Sequence, residues 1–253
     1  AGGLQTLIRI VSRLPRDLPA ALFVVLHMAP QWKSTVADTL NKNGQLPAKQ
    51  AENGEMFRRG RIYIAAPDHH LLVEPSRVYA TKGPKENRSR PAIDPLFRSA
   101  AASHGPRVVG VILTGMLDDG TAGLSAVKRC GGITIVQDPN DAAYAEMPQS
   151  AIDNVEVDHC VPLDRLAETI TNAVISEVTE QDAEKAASNE LVTEVEISKR
   201  GMSRINDTSS LGDLTSFSCP ECGGPLWQVD DPGVDRFRCY TGHSYTRRAA
   251  EII

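Results

Sequence analysis

Apolar residues in this chain fall into short unbroken runs separated by stretches with helical spacing. Ala21-Leu22-Phe23-Val24-Val25-Leu26, Val108-Val109-Gly110-Val111-Ile112-Leu113 and Ile133-Thr134-Ile135-Val136 have the length and continuity of buried strands. Between them, Leu4, Leu7, Ile8, Val11 and Leu14 share one helical face that Pro15 and Pro19 close off. Leu96, Phe97 and Ala100 define a helix over Asp94–His104, Leu124 and Val127 begin another, and Leu163 to Val174 is an amphipathic closing helix. Shorter elements are expected at Ser34–Asn41 (helix), Arg61–Ala65 and His70–Val73 (strands), and around Ala151-Ile152 and Val155. Strands alternating with helices at this spacing predict an α/β domain: a mostly parallel, doubly wound sheet with helices on both faces.

That pattern stops near Ser176, so the first domain is expected over residues 1–176. Residues 177–214 are rich in Glu, Asp, Lys, Ser and Asn, with one apolar–polar alternation from Leu191 to Ile197, and read as a polar linker. Residues 215–253 form a third segment organised by cysteine. With 253 residues, 41% of them hydrophobic, the chain can bury one sizeable core and still carry a small appendage. A net charge of −5 argues against a nucleic-acid binder held by phosphate contacts. No apolar run reaches membrane-spanning length and no signal peptide is visible, so a cytoplasmic protein without membrane insertion is expected.

Two stretches carry chemistry. In Leu113-Thr114-Gly115-Met116-Leu117-Asp118-Asp119-Gly120-Thr121-Ala122-Gly123, two carboxylates sit on a glycine-bounded turn between a strand and a helix. In open α/β sheets that crevice is where ligands bind; on the local sequence alone, the plainer reading is that one aspartate caps the helix. His27 has the same address, at the carboxyl end of the strand Ala21–Leu26. The second stretch is Cys219-Pro220-Glu221-Cys222 with Cys239-Tyr240-Thr241-Gly242-His243. Three thiolates and an imidazole suit the tetrahedral preference of zinc, and the sixteen residues between Cys222 and Cys239 accommodate a β-hairpin. Four protein ligands leave no open position, so the zinc would be structural; the alternative is a disulfide with one spare thiol. Cys130 and Cys160 are expected to be core thiols, His69 and His70 turn and surface residues, and Lys82–Arg90 a solvated basic loop.

Residues Val111 to Ile152, VILTGMLDDGTAGLSAVKRCGGITIVQDPNDAAYAEMPQSAI, closely resemble the catalytic domain of the CheB family, the bacterial chemoreceptor protein-glutamate methylesterases. The likeness extends to Leu26-His27-Met28-Ala29-Pro30, Arg90-Pro91-Ala92-Ile93-Asp94-Pro95-Leu96-Phe97 and Ala1-Gly2-Gly3-Leu4, covering roughly residues 1–175. The C-terminal module resembles zinc-knuckle tails on some CheB-like proteins. The resemblance implies a Ser–His–Asp esterase that also deamidates glutamine, with chemoreceptor helices as substrate, no catalytic cofactor, and room for an upstream receiver domain. It places the histidine at His27, the acid at Asp119 with Asp118 as neighbour, and an oxyanion donor at the Met116 backbone N–H.

The family's nucleophile lies in a G-x-S-x-G-G element whose final pair matches Gly2-Gly3, so the serine is expected immediately before Ala1. The chain as written is therefore expected not to form an acyl-enzyme, and clipping at this point would also remove the first strand of the core. A degenerate relative is the competing explanation. It would be a non-catalytic module docking on receptors or signalling partners through the zinc tail and the Lys82–Arg90 loop. A nucleotide-binding reading is weak, because Gly2-Gly3 lacks the full dinucleotide fingerprint and no P-loop occurs.

Overall fold

The computed structural model describes residues 2–28, 35–178, 185–200, 205–231 and 233–251. The first region is the expected α/β domain. Strands β1 (Ala21–Val24), β2 (Ala48–Gln50) and β3 (Arg61–Ile64) form a parallel sheet in the order β1-β3-β2, with helices α1 (Gly3–Val11) and α2 (Val36–Asn43) beside it. Leu40, Leu46, Ile10, Val11 and Leu14 bury against Ile62 and Ile64 there. A hairpin of β4 (His70–Val73) and β5 (Val78–Thr81) is antiparallel, a departure from the parallel pattern. Helix α3 (Ile93–His104) then leads to a second parallel sheet of β6 (Val109–Ile112), β7 (Ile133–Gln137) and β8 (His159–Val161). Helices α4 (Thr121–Arg129), α5 (Glu146–Asn154) and α6 (Leu163–Ile175) connect and cover it. The helix expected from Ser34 is seen from Val36; Ser34, Ala29, Pro30 and Ala1 lie outside the described residues.

Among the described residues the parallel strands fall in two three-stranded groups, and β1 and β6, which each pair on one side, both line one apolar cavity of about 1170 Å³ with Ala21, Phe23, Val109 and Val111.

The stretch expected as a polar linker holds a helix, α7 (Asn189–Lys199), against α3. Ser188 caps it, its hydroxyl accepting from the Leu191 N–H at 3.2 Å. Leu191, Glu194, Ile197 and Ser198 are buried on one face, so the apolar–polar alternation is a helical stripe rather than a strand. A short helix α8 (Ile205–Ser209) follows, then the C-terminal sheet β12-β11-β10-β9. Its strands are β9 (Gly212–Ser218), β10 (Pro225–Val229), β11 (Arg236–Cys239) and β12 (Ser244–Thr246), all antiparallel, followed by α9 (Arg247–Glu251).

The C-terminal module is fastened to the α/β domain by buried charge. Glu86 accepts from Arg98 of α3 and from Arg238 of β11 at 3.1 Å. Glu194 of α7 accepts from Arg238 at 2.9 Å and from both terminal nitrogens of Arg236, at 2.6 and 2.5 Å. Arg236 also reaches Asp231, which holds Arg129 of α4. The three carboxylates and the three guanidiniums of Arg98, Arg236 and Arg238 balance in charge, as burial demands.

Among the described residues no helix is long and apolar enough to cross a membrane.

Candidate active site and metal cluster

His27 stands three residues past β1, and Asp119 lies in the turn between β6 and α4. The fold brings them together: His27 Nε2 is 2.7 Å from Asp119 Oδ2. The Asp119 side chain is 3% exposed and that of His27 is 39% exposed, so the carboxylate is buried behind an imidazole that reaches solvent. An ionised carboxylate can only accept, so Nε2 carries the proton and Nδ1 keeps a lone pair. Asp119 also accepts from the first amides of α3, Ile93 N–H at 2.7 Å and Asp94 N–H at 3.3 Å, where the helix dipole favours negative charge. Asp94 returns the favour, its Oδ1 accepting from Gly123 N–H at 2.7 Å in the first turn of α4. This exchange needs close helices: a Cβ at Gly123 would meet Phe97 Cβ at 2.6 Å and Asp94 O at 3.0 Å. The glycine of the DG-x-AG signature is thereby explained.

Burial pushes the Asp119 carboxyl up, but the His27 bond and charge and the two helix amides outweigh it and hold it below the usual range. Burial alone would lower the His27 imidazole; its bond to Asp119 and the charges of Asp119 and Asp94 raise it instead. Asp94, buried and facing the Asp119 charge, is pushed up to about 8. Asp118 faces away from the pair, with Oδ2 accepting from the Thr246 hydroxyl at 2.5 Å.

The turn that presents Met116 is anchored on both sides. Gly115 N–H donates to Tyr144 O at 3.0 Å, Gly115 O accepts from Met147 N–H at 3.0 Å, and Leu117 N–H donates to Glu146 at 3.0 Å. Between them, the Met116 N–H has no acceptor among the described residues, and the Met116 side chain is 59% exposed. Gly115 lies so close to Met147 that a Cβ would sit 2.0 Å from its sulfur.

Cys219, Cys222, Cys239 and His243 place their ligand atoms within 4.8 Å of one another. The Cys222–Cys239 Sγ separation is 3.7 Å; Nδ1 of His243 is 3.7 Å from Cys219 Sγ and 3.5 Å from Cys239 Sγ. A tetrahedron with Zn–S near 2.3 Å and Zn–N near 2.0 Å has S–S edges of about 3.8 Å and S–N edges of about 3.5 Å. The donor set therefore fits zinc in both spacing and chemistry. Cys219, Cys222 and Cys239 are free thiols in this arrangement. Burial pushes the Cys219 thiol up to about 11, a cost that a bound divalent cation would offset.

Three expectations need correction. His70 is not a surface residue: it is fully buried, with Nε2 donating to Pro84 O at 2.9 Å and Nδ1 accepting from Ala92 N–H at 3.3 Å. Cys160 is exposed on the edge strand β8, whereas Cys130 is buried as expected. The Lys82–Arg90 loop is largely covered, and most of its charged side chains are paired within the protein. Arg90 and Lys82 pair with Asp68, and Lys85 with Glu221. Sequence reasoning also missed Asn87, a buried residue whose side-chain N–H groups reach Asp94 Oδ2 at 3.1 Å and Asp119 Oδ1 at 3.5 Å. A partner for these carboxylates had no local signal.

The structure thus pairs a histidine with a buried carboxylate at the carboxyl ends of two parallel strands of an α/β fold, the crevice where such folds bind ligands. The CheB methylesterase family profile matches residues 1–170, and the chain belongs to that family. A Pyrococcus horikoshii protein-glutamate methylesterase/protein-glutamine glutaminase is 38% identical over 177 residues, covering 68% of this chain and 48% of that protein. A Leptospira interrogans relative is 36% identical over 169 residues, covering 66% of this chain and 88% of its own length. The crystal structure of the Thermotoga maritima CheB methylesterase catalytic domain matches with a TM-score of 0.65 at 35% identity, covering 68% of this chain and 93% of that one. The chain spans about half the length of the curated Pyrococcus and Methanosarcina relatives it matches.

Proposed function

We propose that this protein is a cytoplasmic, serine-type protein-glutamate methylesterase and glutamine deamidase acting on the methylation sites of chemoreceptor helices. The observation that carries the reading is the 2.7 Å contact between a half-exposed His27 and a buried Asp119. The family resemblance puts the nucleophilic serine immediately before Ala1, beside Gly2-Gly3. Its hydroxyl adds to the ester carbonyl carbon while Nδ1 of His27 takes the proton. Asp119 holds the imidazole in the Nε2–H tautomer and stabilises the imidazolium. The Met116 N–H donates to the oxyanion. Collapse of the tetrahedral intermediate expels methanol, protonated by His27; water then repeats the sequence and releases the glutamate carboxylate. With a glutamine substrate the leaving group is ammonia.

We assign residues 1–176 to the catalytic domain, 177–214 to a connector and 215–253 to a zinc-knuckle module. Zinc in that module would be held by Cys219, Cys222, Cys239 and His243 and would supply structure rather than catalysis.

The test is methanol release from methylated chemoreceptor by the protein carrying its upstream segment. Asp119→Asn should lower kcat by about 10⁴-fold, the cost of losing the orienting acid. Asp118→Asn should retain most of it. The reverse ranking would refute the assignment.

A further inference from the structure

The metal cluster and the histidine–aspartate pair are joined by a short chain of contacts. Directly after the ligand His243, strand β12 runs beside the loop that carries Asn87. Asn87 N–H donates to Ser244 O at 2.8 Å, and Ser244 N–H donates to Lys85 O at 3.3 Å. Thr246 N–H donates to the Asn87 side-chain oxygen at 3.1 Å. The same amide group then turns its N–H groups on Asp94 Oδ2 at 3.1 Å and Asp119 Oδ1 at 3.5 Å. The turn before His243 fits tightly: a Cβ on Gly242 would meet Pro84 Cγ at 2.6 Å and Ile197 Cγ2 at 2.9 Å.

An asparagine amide has a donor end and an acceptor end. Because Thr246 N–H occupies the acceptor, the donor end must face the carboxylates. Without that bond, nothing on this side prevents the amide from turning its oxygen toward them. The oxygen would repel the Asp119 charge and loosen the carboxylate that orients His27. The α/β domain also fastens this loop, through Arg98 to Glu86 and at the flanks through His70 to Pro84 and Arg90 to Asp68, but none of these contacts touches the Asn87 amide.

We propose that Asn87 is a positioning residue for the acid of the catalytic pair, set in its working orientation by the metal-bound C-terminal module. The module is then an integral control on turnover. The proposal rests on the esterase reading for its kinetic consequence but not for the contact it describes. A displaced group near the reacting centre costs up to about 10²-fold in rate.

The experiment uses the full protein with its upstream segment, in three forms: metal-loaded wild type, the same protein after chelation, and metal-loaded Asn87→Asp. The aspartate keeps the acceptor for Thr246 N–H but cannot donate to Asp94 or Asp119. Two readouts are taken, receptor demethylation kinetics and hydrogen exchange at the Ile93 and Asp94 amides, which donate to Asp119. Chelation and Asn87→Asp should each lower kcat by tenfold to a hundredfold with KM within about twofold. Exchange at Ile93 and Asp94 should speed at least tenfold, while Ile135 and Val136 in the sheet keep their protection. Unchanged exchange at Ile93 and Asp94 in Asn87→Asp overturns the proposal, even if chelation unfolds the chain. A wild type that exchanges as expected but never hydrolyses the receptor overturns the esterase reading and leaves the positioning contact standing.

Discussion

Glu86→Gln is the sharpest probe of how the C-terminal module is fastened. Glu86 is 1% exposed and accepts from Arg98, Arg238 and the Ser198 hydroxyl. Burial pushes its carboxyl up, but the charges of Arg238 and Arg98 outweigh that and bring it from 4.5 down to about 2. At about 1.36 kcal/mol per pH unit, that difference corresponds to roughly 3 kcal/mol of stability at pH 7. The figure matches the cost of about 3–5 kcal/mol for breaking a buried ion pair from one side. A depressed carboxyl contributes fully above its unfolded value and loses the contribution as pH falls through its folded value. Urea unfolding of wild type and variant, followed by far-UV circular dichroism and by tryptophan fluorescence including Trp227 of β10, should therefore show a deficit of about 3 kcal/mol at pH 7. At pH 3 it should shrink to about half of that or less by the same relation. Because the network spans both parts of the chain, the two probes should report one transition in the wild type. A deficit that is the same at pH 7 and pH 3, or none at all, would refute the argument from charge.

Other consequences are equally direct. Gly115→Ala places a Cβ against the Met147 sulfur, so the turn carrying Met116 must move; stability should fall by about 1–3 kcal/mol and kcat by more than KM rises, as read by urea melts and receptor demethylation. The raised His27 imidazole must be neutral to act as a base, so kcat/KM should fall on the acid side with an apparent pKa above 6.5. In Asp119→Asn the limb of that residual profile should move lower, because the carboxylate that raises it is gone; a limb that stays put would contradict the pairing. Elemental analysis should find about one zinc per chain, lost on replacing Cys222 by serine.

Much of this was legible in the sequence, for identifiable reasons. His27 directly follows one unbroken apolar run and Asp119 sits on the turn after another, and topology alone brings such strand ends together. The three cysteines and the histidine of the candidate metal cluster lie close in sequence, so their spacing carries the geometry. What was hidden depends on partners far away in the chain. Glu194 reads as linker charge until Arg236 and Arg238 are folded against it. Signals for its helix were nonetheless present, in the Ser188 cap and the Leu191, Glu194, Ile197 spacing. His70 begins a strand buried at every position, which argued against a surface histidine. Asn87 joins three separate segments and offers no periodicity, so only the assembled fold reveals what it holds.

The most direct measurement is ester hydrolysis on methylated chemoreceptor, comparing this 253-residue chain with the same chain extended upstream through the expected G-x-S element. The account predicts methanol release by the extended protein, its loss on His27→Ala, and none from the chain that starts at Ala1. Silence from the extended protein, on receptor that another methylesterase demethylates, would contradict it.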